Sequence, residues 1–129
     1  MAKFGAAWNG WSTDLNGAAL NNAASNQQSF SLTPNEEGTA QHPDVIEIQV
    51  DITAGTSTDI DVNFYGGDLS SQADTTSMPG SYNVTGNDIR TVRFYGTSEV
   101  KCVITDNDAT DDGSVTAKHN YREWTDAAT

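Results

Sequence analysis

Apolar and polar residues alternate most cleanly in the segment Asp44-Val-Ile-Glu-Ile-Gln-Val-Asp-Ile52. Ile46, Ile48, Val50 and Ile52 share one parity, and Glu47, Gln49 and Asp51 share the other. A period of two is that of a strand with one buried and one wet face. A turn-rich stretch, Thr53-Ala-Gly-Thr-Ser-Thr58, leads into a second alternating run, Asp59-Ile-Asp-Val-Asn-Phe64. Further strands are expected at 27–32, with Phe30 and Leu32 inward, at 82–84, at 99–105 and at 114–124. In Ile89-Arg-Thr-Val-Arg-Phe-Tyr95 apolar residues fall on both parities, which predicts a strand partly covered on each side. The breaks are rich in Gly, Pro, Asn and Asp, the residues that reversals need. They include Thr33–Gly38, the polar loop Gly66–Gly80, Thr85–Asp88, Gly96–Ser98 and Asp106–Gly113. Seven to eight short strands with no helical segment between them predict an all-β chain. The architecture expected is a single antiparallel β-sandwich or jelly roll over residues 27–129.

Residues 1–26 read differently. Trp8-Asn-Gly-Trp11 precedes a stretch rich in Ala and Asn, where Gly17 and the Asn residues oppose a helix. An extended N-terminal arm of irregular structure is expected. Trp8 and Trp11 each carry a large aromatic surface, so they should pack on the chain's own sheet or on another subunit.

Composition narrows the function classes. Of 129 residues, 18 are acidic and 6 are Lys or Arg, for a net charge of −12. A field of that sign opposes nucleic acid, whose phosphates call for clustered Lys and Arg. It opposes anionic lipid in the same way. No apolar run is long enough for a signal peptide or a membrane span, so synthesis in a cytoplasm is expected. Cys102 is the single cysteine and shares its parity with Val100 and Ile104, as a buried and inert thiol would.

Candidate chemistry is sparse. The loop Asp106-Asn-Asp-Ala-Thr-Asp-Asp-Gly113 offers calcium-type ligands in Asp106, Asp108, Asp111 and Asp112. An EF-hand loop, however, needs Gly at its sixth position and Glu at its twelfth, where this chain has Asp111 and Ala117. A hairpin turn is the reading preferred, with no cofactor. His42 and His119 lie in separate segments with no third ligand in view. No nucleophile elbow and no phosphate loop is present, so no enzymatic activity is expected. Tyr65, Tyr95, Tyr121 and Trp124 fall near strand ends and are read as caps of the core.

Three features together resemble the small virion proteins of tailed bacteriophages. They are the opening Trp8-Asn-Gly-Trp-Ser-Thr-Asp-Leu-Asn16, the Ala/Asn-rich stretch after it, and strands such as Ser29-Phe-Ser-Leu32 and Asp59-Ile-Asp-Val-Asn-Phe-Tyr65. The resemblance implies a jelly-roll or sandwich protein of the capsid surface or tail, most closely a capsid decoration (cement) protein. Its implied partners are the major capsid protein and copies of itself, as a homotrimer. Its implied contact residues are Phe4, Trp8, Trp11, Leu15, Leu20, Tyr121 and Trp124. The alternatives are a tail or fibre component and a receptor- or carbohydrate-binding module.

Overall fold

In a computed structural model of the chain, the residues described are 4–20, 26–33, 43–66, 79–95, 99–110 and 112–126. They form nine strands and no helix: β1 (Phe4–Trp8), β2 (Ser12–Ala19), β3 (Gln27–Leu32), β4 (Pro43–Thr53), β5 (Ile60–Gly66), β6 (Tyr82–Val84), β7 (Asp88–Tyr95), β8 (Val100–Asp106) and β9 (Ser114–Asp126). Two antiparallel sheets result. One has the order β1-β9-β4-β7, with β2 also paired to β9; the other has the order β3-β8-β5-β6. The all-β sandwich expected from the alternation is the fold observed.

The core lies between the sheets. Ile46, Ile48, Val50 and Ile52 of β4 face Ile60, Val62 and Phe64 of β5 and Val100, Cys102 and Ile104 of β8, all nearly or fully buried. Phe64 meets Phe94 edge to face, with ring centroids 5.0 Å apart. Burying an aliphatic or aromatic side chain of this size is worth about 1.5–3 kcal/mol, so the four inward positions of β4 contribute on the order of 10 kcal/mol as an upper bound. Cys102 lies wholly inside, and burial, with the negative charge of Asp14, pushes its thiol pKa up.

Three expectations are corrected. Residues 1–26 were expected as an irregular arm, but β1 and β2 lie in line along β9. Phe4 pairs with Asp126 and Trp8 with Arg122, while Ser12 pairs with His119 and Ala19 with Ser114. The free edge of β9 supplies the hydrogen bonds that order this segment, whatever its local propensity. Glu47 was expected in water but is only 6% exposed. Arg93 Nε, 3.0 Å away, and Asn120 Nδ2, 3.2 Å away, close over its carboxylate from the flanking strands. β7 is covered on one side only: Phe94 is buried, whereas Ile89 and Tyr95 stay exposed. The loop 67–78 and His42 lie outside the described residues.

Candidate interaction face

Among the described residues, the large apolar groups that remain in water lie on the outer face of the five-stranded sheet. Across the five-stranded sheet, Trp8 stands opposite Arg122, Arg122 opposite Val45, and Val45 opposite Tyr95. The neighbouring row is Asn120, Glu47 and Arg93. Trp8 is 42% exposed, Trp11 46%, and Tyr95 68%. The guanidinium of Arg122 sits 5.8 Å from the Trp8 ring centroid and that of Arg93 6.0 Å, within the range where a cation is drawn to an aromatic face.

Each arginine is fixed by an acid beneath it. Arg122 donates to both oxygens of Asp44, through Nη2 at 2.9 Å and Nε at 3.4 Å. Arg93 donates to Glu47, and that bond raises the guanidinium pKa further. Glu47 also accepts from Asn120, whose Oδ1 accepts the Gly10 N–H at 2.9 Å. Gly10 has φ +95°, a backbone state that costs glycine little and other residues more. The Trp-bearing turn is thus tied through Gly10, Asn120 and Glu47 to Arg93 on the far strand. Asn9 adds a backbone bond to the Tyr121 carbonyl at 2.9 Å. The turn is anchored to the sheet, and its rings project from it.

The contact residues read from the sequence divide accordingly. Trp8 and Trp11 are exposed on the turn, and Leu15 is half-buried against the core. Leu20 is fully buried and Tyr121 is 6% exposed. Both belong to the chain's own core and offer nothing to a partner, which corrects that part of the set. The side chains of Phe4 and Trp124 lie outside what the structure describes. Of the residues read as core caps, Tyr121 is one, Tyr65 is half-buried, and Tyr95 is corrected to a surface residue. Arg93, Arg122, Asn120 and Asp44 were missed. They come together only through strand pairing, although Asn120 and Arg122 do alternate with the inward His119 and Tyr121.

A second cluster lies under β2. His119 Nδ1 is 2.7 Å from Asp14 Oδ2, with side chains 15% and 14% exposed. The His119 and Tyr121 rings lie 4.8 Å apart. Burial, then the Asp14 charge, pushes the Tyr121 pKa up to about 12. With Gly17 N–H on Thr116 Oγ1, this pair fixes β2 across its two register shifts.

The acidic loop is built as a turn. Asp106 is 2% exposed. Its oxygens accept the Ser57 and Thr110 hydroxyls, each at 2.6 Å, and the N–H groups of Asp108 and Thr110, each at 3.1 Å. Burial works to raise its pKa, but these bonds outweigh burial and hold it below the usual carboxylate value. Asp108 accepts from Thr58 and Asp112 from Thr56. The Thr56 backbone N–H leads in holding Asp112 low as well. Asp111 lies outside the described residues.

No family model and no curated protein matches the chain. Among solved structures it is similar to a chain described under "Bacillus endospore appendages form a novel family of disulfide-linked pili". The identity is 9%, with 95% of this chain and 88% of that one covered, at a TM-score of 0.49. That neighbour belongs to an appendage pilus and not to a phage, and a likeness so distant carries neither identity nor function to this chain.

Proposed function

We propose that the chain is a non-enzymatic structural subunit that docks in a larger particle through the outer face of its five-stranded sheet. The observation that carries this reading is the anchored turn with Trp8 and Trp11 exposed beside Arg93, Arg122 and Tyr95. Trp, Tyr and Arg are the residues that dominate interface energy. Here they stand on a rigid sheet, so little conformational freedom is lost on binding. The polar clusters described are occupied with holding loops and strands.

The particle proposed is a tailed-phage head, with the chain as a capsid decoration protein bound to the major capsid protein and to its own copies as a trimer. This finer reading rests on the resemblance of the Trp-containing opening and the Ser/Thr/Asp-rich strands. The charge of −12 fits a protein that works in the presence of packaged nucleic acid without binding it. The test is sedimentation of purified heads lacking the chain after addition of wild type or of Trp8→Ala/Trp11→Ala. Wild type should saturate the heads. The double variant should bind about 100-fold more weakly, as the loss of two interface anchors implies. Full occupancy by the variant, or no binding of wild type, contradicts the proposal.

A carbohydrate-binding role is the second reading. Exposed Trp8 and Tyr95 flanked by the Arg122–Asp44 pair could stack on and hydrogen-bond a sugar. Glycan binding abolished by Tyr95→Ala, with no association with heads, would favour it.

A further inference from the structure

We infer that the aromatic and arginine face receives the opposite, acid-rich end of a second copy of this chain, so that copies join head to tail. The inference rests on reading that face as a docking surface, and it names the occupant.

The two ends are set apart by β4. At its start, Val45 lies between Arg122 and Tyr95; at its end, Ile52 and Thr53 lie beside Asp88, Val115 and Ser114. Eleven strand residues separate the two ends by roughly 30 Å. The loops after β4 and β8 therefore gather at the pole remote from Trp8.

The exposed charge differs between the poles. On the aromatic face the Arg93 side chain is 56% exposed and its acid, Glu47, only 7%. Arg122 and its acid Asp44 are about equally exposed, at 33% and 26%, so the cation a partner meets beside the rings is Arg93. At the other pole, Asp59 and Asp61 share the side-chain amides of Asn83 and Asn107, at 2.7–3.1 Å. Asp106, Asp108 and Asp112 accept from hydroxyls and backbone N–H groups. These described partners are neutral, so at this end Asp59, Asp61, Asp108 and Asp112 reach the surface with no cation among their described hydrogen-bond partners, while Asp106 stays buried. A chain of charge −12 repels its own copies in most orientations. Placing this end on the arginine face is the orientation that sets unlike exposed charges together. The two patches are different surfaces, so the contact is heterologous and repeats into a ring or an open filament.

The test is sedimentation velocity of the full chain over a concentration series, with two variants whose changes fall on exposed or half-exposed positions. Trp8→Glu/Tyr95→Glu makes the aromatic face acidic. Asp59→Lys/Asp61→Lys makes the opposite pole basic. Melting curves confirm that each variant is folded. Wild type should associate, and each variant alone should need at least about tenfold more protein to do so. An equimolar mixture should recover association, because each variant then offers the pole its partner needs. A monomeric wild type up to about millimolar concentration overturns the inference. So does loss of association in the first variant alone, which would mean a symmetric contact, or a mixture that does not recover. Wild type that stays monomeric yet saturates heads removes only the head-to-tail contact. Association in solution without binding to heads removes only the decoration reading.

Discussion

The two poles of the sandwich use polar groups in opposite ways. At the acid-rich pole Asp106, Asp108 and Asp112 are spent on holding the fold. Asp106 is buried and takes four hydrogen bonds from its own loop and from Ser57. Asp108 and Asp112 fasten the strand-linking segment Thr56–Thr58. At the aromatic pole the acids Asp44 and Glu47 lie low and hold arginines upright. Trp8, Trp11 and Tyr95 are left largely in water, where a monomer gains little from them. The difference separates residues that make the fold from residues that await a contact. Substitutions should therefore divide by residue: stability at Asp106, Asp112 and the loops they hold, association at the aromatic face and at the half-exposed Asp59 and Asp61.

The largest stability effect is expected at Asp106. Asp106→Ala strands two hydroxyls and two N–H groups in a buried site, and should cost about 3 kcal/mol in urea unfolding. Asp59→Ala, at a half-exposed carboxylate of the same pole, should cost under about 1 kcal/mol. The pH dependence carries the same signature. Asp106 and Asp112 have folded pKa values below the usual one. Their contribution is complete above the unfolded value of about 4 and is lost as pH falls through the folded values. Stability should therefore decline on acidification below about pH 4, and Asp106→Asn should flatten that decline. An acid limb unchanged in the variant would break this side of the comparison.

Backbone strain gives a smaller contrast. Gly55 has φ +61°, and a Cβ there would stand 2.5 Å from Asp112 Cγ and 2.7 Å from its carbonyl oxygen. Gly55→Ala should cost about 2 kcal/mol or more, with loop displacement. Gly10 has φ +95° but open space around it, so Gly10→Ala should cost about 1 kcal/mol. Equal costs would mean that the acid-rich pole is no more tightly built than the Trp turn.

The smallest stability effect belongs to the residues with the largest proposed role. Trp8→Ala and Trp11→Ala should each shift unfolding by less than about 1 kcal/mol, because both rings are nearly half exposed. A loss of about 3 kcal/mol or more, as for a core aromatic, would place the rings in the fold and withdraw them from docking.

Sequence periodicity carried the sandwich well. Ile46, Ile48, Val50 and Ile52 alternate, and they do face the core. It failed at residues 4–19, where β2 shifts register between Thr13 and Leu15 and again between Leu15 and Ala18. Such bulges break the period of two, so Leu15 and Ala18 face inward without alternating. The candidate face was legible only at Trp8 and Trp11. Its arginines and acids belong to strands distant in sequence: Arg93 lies 46 residues from Glu47, and Arg122 78 from Asp44. Pairing decides such neighbours, and no local pattern encodes it. The Asp14–His119 pair, 105 residues apart, was hidden for the same reason.

The outer face of the five-stranded sheet is the surface proposed to be covered on assembly. Hydroxyl-radical footprinting of the chain, free and within its native particle, addresses it most directly. Oxidation of Trp8, Trp11 and Tyr95 should fall several-fold in the particle while Tyr65 on the other sheet stays reactive. Unchanged oxidation of Trp8, Trp11 and Tyr95 in the particle would show that this face is not the one covered.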